Sequence, residues 1–124
     1  MTPLAWLGFV AAAAVGATLR YTVDHVVGGR AEGVFPWGTF AINASGSFLL
    51  GVLTGLGLYH AFPKTPRVVL GTGFCGAYTT FSTFTFETIQ LVEEGAMWEA
   101  FTNALSTLVI CGGAAAAGLA LTAL

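Results

Sequence analysis

Four long stretches without a single charged side chain divide this sequence, and they leave it few ways to fold. Residues 4–19, 33–63, 68–86 and 100–124 contain no Asp, Glu, Lys or Arg. A helix needs about 20 apolar residues to cross the hydrocarbon core of a bilayer. The chain therefore reads as four spans, roughly 4–26, 37–60, 67–92 and 98–122. Only 8% of its residues are charged and 56% are hydrophobic, where soluble domains carry about a quarter charged. A soluble fold of 124 residues cannot hide so much apolar surface. The expectation is an all-α integral membrane protein, one transmembrane domain over 1–124. The first run lacks a basic leader and continues through Leu19, Arg20 and Tyr21, so it reads as a retained span and not a signal peptide.

The same composition excludes several classes of function. Four Lys or Arg and a formal net charge of −2 give no basic patch for nucleic acid. No HExxH, phosphate loop or Ser/His/Asp arrangement is present, so nothing suggests an enzyme. Cys75 and Cys111 have no metal-ligand spacing and read as small buried thiols. His25 and His60 fall near span ends and read as interfacial.

The third span is the irregular one. Gly71, Gly73 and Gly76 lead into a stretch, residues 76–87, in which five of twelve residues are Ser or Thr. Glycine with clustered hydroxyls at membrane depth suggests a broken helix, tolerated only where backbone is buried in protein or lines a wet cavity. That points to a path for a polar solute.

Charge placement bears on assembly. With four spans, both termini and the loop holding Lys64 and Arg67 share one side, and Arg20 and Arg30 lie toward the other. Orientation normally follows a Lys/Arg excess, and here two stand against two. Insertion in both orientations is the physical expectation, unless the N-terminal amine or the order of insertion decides. Gly46, Gly51, Gly55 and Gly57 in the second span, with Gly112, Gly113 and Gly118 in the fourth, let helices approach closely. An oligomer is expected, and with two orientations an antiparallel dimer closes on a two-fold axis in the membrane plane.

The polar residues inside the spans admit two readings each. Asn43 either makes an interhelical hydrogen bond or offers its amide to a passing anion, with Thr39 on the same helix face. Arg20 either anchors the end of the first span, paired with Asp24, or draws anions into a vestibule. Phe81 and Phe84, three apart, either pack or present positive ring edges to an anion. Ser82 and Thr83 interleave with them, and Ser106 and Thr107 in the fourth span would extend a ladder of hydroxyl donors. Glu87 either marks the approach to the interface or takes a proton beside a conduction path.

At these residues the chain resembles the Fluc (CrcB) family of fluoride channels. The resemblance lies in Gly16-Ala17-Thr18-Leu19-Arg20-Tyr21, in Gly38-Thr39-Phe40-Ala41-Ile42-Asn43 with Gly46-Ser47-Phe48, and in Gly73-Phe74-Cys75-Gly76 through Thr79-Thr80-Phe81-Ser82-Thr83-Phe84. It runs over about the whole length, while the fourth span matches in character only. It implies a dual-topology antiparallel homodimer with two fluoride pathways in a bacterial inner or plasma membrane. Asn43 would be the pore asparagine and Phe81 and Phe84 the pore phenylalanines. Ser82 and Thr83 would join the polar track, Arg20 the vestibule, and Glu87 the carboxyl beside the pore. Backbone carbonyls of Gly76 and Thr79 from each subunit would hold a structural sodium ion on the dimer axis. The implied function is passive export of fluoride that enters acidified cells as HF.

Two other classes compete. A small multidrug exporter of four short spans needs an acid inside its first helix, where this chain has Ala11-Ala12-Ala13-Ala14-Val15. A non-transporting assembly subunit would have no use for the hydroxyl ladder.

Overall fold

The computed structural model describes residues 1–30 and 33–124, and within them the chain is helical throughout. Helix α1 is Pro3–Arg30, α2 is Trp37–Tyr59 and α6 is Met97–Thr122. These three are long and apolar enough to cross a membrane. The span between α2 and α6 is interrupted, as its glycines and hydroxyls suggest. It begins as α3 (Lys64–Val68), widens into a π-helix (Val69–Cys75), closes with the short α4 (Gly76–Tyr78) and resumes as α5 (Ser82–Glu93).

The π turns follow from packing against α1. A Cβ at Gly73 would stand 3.1 Å from the Phe9 carbonyl oxygen, and one at Gly16 would stand 3.2 Å from the Phe74 carbonyl carbon. Side chains at either position would hold the two helices apart. Thr79 then turns extended, with φ −80° and ψ 160°, and ends the first half of the span.

Helices α2 and α6 form the closest pair. Gly51 lies against the Ala115 backbone, Gly118 against Phe48 and Val52, and Gly55 beneath the Thr122 side chain. In lipid, where apolar burial gives little drive between helices, such close van der Waals approach is a main source of association. Most of the glycines expected to let helices approach closely do so inside the subunit. Gly46 seats Tyr78 and Thr79, and Gly57 seats Arg67, while Gly112 and Gly113 have no neighbour within 4 Å.

The topology sorts charge. One end of the bundle gathers the C-terminal end of α1, the start of α2 and the turn between α5 and α6, as the Asp24–Gly38 contact and the cavity joining Val34, Pro36, Glu87 and Glu94 require. The other end holds the start of α3 and the ends of α2 and α6, where His60 Nε2 lies 2.7 Å from the Thr122 carbonyl. Arg20 does not close the first span. Helix α1 runs on to Arg30, so Arg20 sits inside it, at the level of Thr79. The Arg30 side chain, counted above in the charge balance, lies outside the described residues.

Gly118→Leu is expected to cost about 1–3 kcal/mol through overpacking and to lower the unfolding midpoint in detergent. Gly8→Leu, at a position with no neighbour within 4 Å, is expected to leave that midpoint near the parent's. Equal midpoints for the two variants would show that the α2–α6 contact does not depend on a small residue.

Candidate functional site

A groove of about 1040 Å3 runs along the molecule between α2, the interrupted span and α6. Its wall includes Asn43, Thr79, Thr80, Phe81, Phe84 and Thr107, with Gly76 beside the break. It is open along one side, so a single subunit supplies only part of an enclosed path.

The break that forms this wall is held by one side chain. Asn43 Nδ2 donates to the Thr80 carbonyl at 2.8 Å, and the Thr80 N–H donates to Asn43 Oδ1 at 2.9 Å. The amide thus satisfies both backbone polar groups of Thr80, a residue that has left the helix. This is the interhelical bond that an amide in a span requires, but it leaves something over. An asparagine amide carries two donors, and one suffices for Thr80. The second is left for whatever enters the groove. Thr80 also caps the second half of the span, since its Oγ1 accepts from the Thr83 N–H at 3.1 Å.

Phe81 and Phe84 stand together beyond the break, ring centroids 5.9 Å apart at an interplanar angle of 46°. Phe81 is 76% exposed. The ring is therefore largely uncovered within the subunit.

The expected hydroxyl ladder divides. Thr107 is buried and reaches the groove, and its Oγ1 lies 3.3 Å from Asn103 Oδ1. Asn103 in turn donates to Thr88 Oγ1 at 2.8 Å, and Thr88 to the Phe84 carbonyl at 2.7 Å. Asn103 is 1% exposed and was not among the candidates, although its spacing of four from Thr107 is the same face argument that joins Thr39 to Asn43. Ser82 and Thr83 are exposed and engage Thr80 Oγ1, at 3.3 and 3.1 Å, and neither lines the groove. Ser106 also lies off the groove, with its buried hydroxyl unpartnered.

Thr39 and Glu87 pair with each other. The buried Thr39 hydroxyl donates to Glu87 Oε1, one turn of α2 from Asn43. Glu87 also borders a second, smaller cavity of about 190 Å3 with Val34, Pro36, Gln90 and Glu94. Its carboxyl is therefore tied into the bundle and is not free at an interface. Arg20 does not pair with Asp24. Its Nη1 lies 3.5 Å from the Thr79 carbonyl oxygen, while Asp24 Oδ1 turns toward Gly28 and Gly38.

The break leaves carbonyls with acceptor capacity. With Thr79 extended and the Thr80 N–H given to Asn43, the last carbonyls of α4 lack the donors that a continuing helix would supply. Gly76 is exposed with nothing within 4 Å of its Cβ position, so another copy can approach it closely. Two such oxygens fit a hard cation in chemistry but not in number, and a complete shell requires a second subunit.

The family model described as CrcB-like protein, Camphor Resistance (CrcB), matches residues 7–119. A protein of Streptomyces avermitilis named fluoride-specific ion channel FluC 1 is 48% identical, over 92% of each chain. One of Frankia casuarinae with the same name is 46% identical over 94% of each. The fluoride-specific ion channel FluC of Methanocaldococcus jannaschii is 44% identical over 77% of this chain and 76% of its own. The family match runs from within α1 to within α6 and takes in every residue that lines the groove, and the chain is a multi-pass membrane protein that belongs to the CrcB family.

Proposed function

We propose that this protein is a fluoride-selective channel that lets the ion leave the cytoplasm passively, through two pores in an antiparallel homodimer. The observation that carries the reading is the groove that Asn43, with one amide N–H beyond the one given to Thr80, lines together with the open Phe81–Phe84 pair. The names of the most similar relatives agree with it.

The chemistry suits a small, strongly hydrated anion. Binding must be favourable enough to replace water and weak enough to release the ion. An amide N–H offers a hydrogen bond without a full positive charge that would trap the ion, and Thr107, whose hydroxyl donates to Asn103 Oδ1, would serve by holding the wall beside it. Ring edges of Phe81 and Phe84 carry the positive part of an aromatic quadrupole. A second copy, inverted in the membrane, would close the open side of the groove and present its own ring pair. By two-fold symmetry it would create a second, equivalent path.

The same inversion would bring the Gly76 and Thr79 carbonyls of two subunits together. We assign them to a sodium ion that is structural and not transported. Carbonyls released by an unwound helix are suitable ligands for such an ion.

Liposomes loaded with fluoride and containing the purified dimer are expected to release it, as read by a fluoride electrode. Release no faster than from protein-free liposomes would overturn the reading. Phe81→Ile is expected to cut flux strongly with the dimer intact. Asn43→Asp is expected to lower both flux and unfolding midpoint, because a carboxylate cannot donate to the Thr80 carbonyl and leaves it unsatisfied at about 1–3 kcal/mol.

Ligand linkage raises the stability of whichever state binds the ion, so the dimer is expected to melt higher in sodium than in N-methylglucamine. Identical midpoints would remove the sodium site. A single-cysteine variant at Lys64, with Cys75 and Cys111 replaced, should label equally from both membrane faces. Labelling from one face alone would refute dual topology.

A further inference from the structure

The groove ends at a positive charge that the conduction path described above does not use. Arg67, in α3, lines it together with Leu50, Leu53, Thr54 and Val68. Its side chain lies across the backbone of Gly57, where a Cβ would stand 2.6 Å from Arg67 Cζ and 2.9 Å from its Cδ. Any residue other than glycine at position 57 would displace the guanidinium. Arg67 is half-buried, and its guanidinium donates no hydrogen bond to the described residues. The nearby Thr54 hydroxyl is committed to the Leu50 carbonyl at 2.8 Å. Every described side-chain carboxylate (Asp24, Glu87, Glu93, Glu94, Glu99) lies toward the opposite end of the bundle. Lys64, His60 and Tyr59 are the other titratable side chains at this end.

A half-buried charge with no partner is normally avoided, because desolvation is not repaid. Here the chain provides a glycine seat for one. We propose that Arg67 is an anion-collecting residue at the mouth of the groove, holding a small inorganic anion transiently before it passes toward Asn43 and Phe81. Low-dielectric walls focus the field of such a charge and raise the local concentration of its counter-ion. Arg20, on α1 and turned to the Thr79 carbonyl, does not line the groove.

The role assigned to Arg67 rests on the conduction reading, and the test separates the two. Single-channel fluoride current is recorded in planar bilayers for the parent, Arg67→Gln, Arg67→Lys and Gly57→Ala, at low ionic strength and again with an impermeant salt added. Screening shortens the reach of a charge from about 30 Å at 0.01 M to about 8 Å at 0.15 M. Arg67→Gln is expected to lose about threefold or more of the current at low ionic strength, and the gap should close as salt is raised. Arg67→Lys should retain most of the current, because a point charge suffices. Gly57→Ala keeps the charge but moves it, and should fall between the two.

A parent without fluoride current overturns the channel itself. A parent that conducts beside an equally conducting Arg67→Gln overturns only the role of Arg67. Loss that salt does not narrow would mean a structural role. Dissociation of the dimer on gel filtration would mean that a partner's carboxylate, and not a free anion, is what Arg67 meets. If Arg67→Gln fails to assemble, Gly57→Ala decides by the same comparison, and a current equal to the parent's at low salt overturns the proposal.

Discussion

Everything distinctive in this bundle depends on two hydrogen bonds between one side chain and the backbone of one residue. A helix broken at membrane depth exposes backbone groups that lipid cannot satisfy, at a cost of several kcal/mol each. Asn43 answers both groups of Thr80, within 2.8 and 2.9 Å. Because the break is stable, Thr80 can cap α5, and Phe81 can point out of the bundle. The Gly76 and Thr79 carbonyls also keep free acceptor capacity. Remove the amide and these features lose their common support. In this chain a residue that lines the groove also holds the backbone that forms its wall, so architecture and chemistry meet at one position.

A second constraint is how small residues are distributed. Gly51, Gly55 and Gly118 bring α2 against α6, and Gly16 and Gly73 bring α1 against the π segment. With those contacts made, the subunit is tightly packed behind the groove and open in front of it. A ring 76% exposed and a cavity of about 1040 Å3 then remain on the open side. The subunit is thus rigid where it supports the wall and unfinished where a second wall belongs. An inverted copy of the same surface is the closure that the proposed channel assigns to it.

Much of this was legible in the sequence. Charge-free runs mark the four spans, and the glycines and hydroxyls of residues 71–83 mark the break. Asn43 stands out because an amide in lipid must find a partner. Other features depend on packing, which periodicity does not carry. The π-helix at Val69–Cys75 arises from the close approach of Phe9 and Phe74 to glycines on facing helices. Arg20 read as a span end because the hydrophobic run stops there, yet α1 continues and delivers the guanidinium to Thr79. Ser82 and Thr83 read as pore donors by composition, but both engage the Thr80 hydroxyl at the new helix start. Asn103 carries no signal in the sequence beyond its spacing from Thr107, whereas burial makes it the link of the Thr88–Asn103–Thr107 chain.

The central claim is that this broken span forms a path for fluoride and not for anions in general. The most direct measurement is the reversal potential of the current across a planar bilayer, with fluoride in a gradient on the two sides and chloride in the opposite gradient. Reversal at the fluoride equilibrium potential is the predicted result. Reversal drawn to the chloride potential, with the dimer intact, would contradict it.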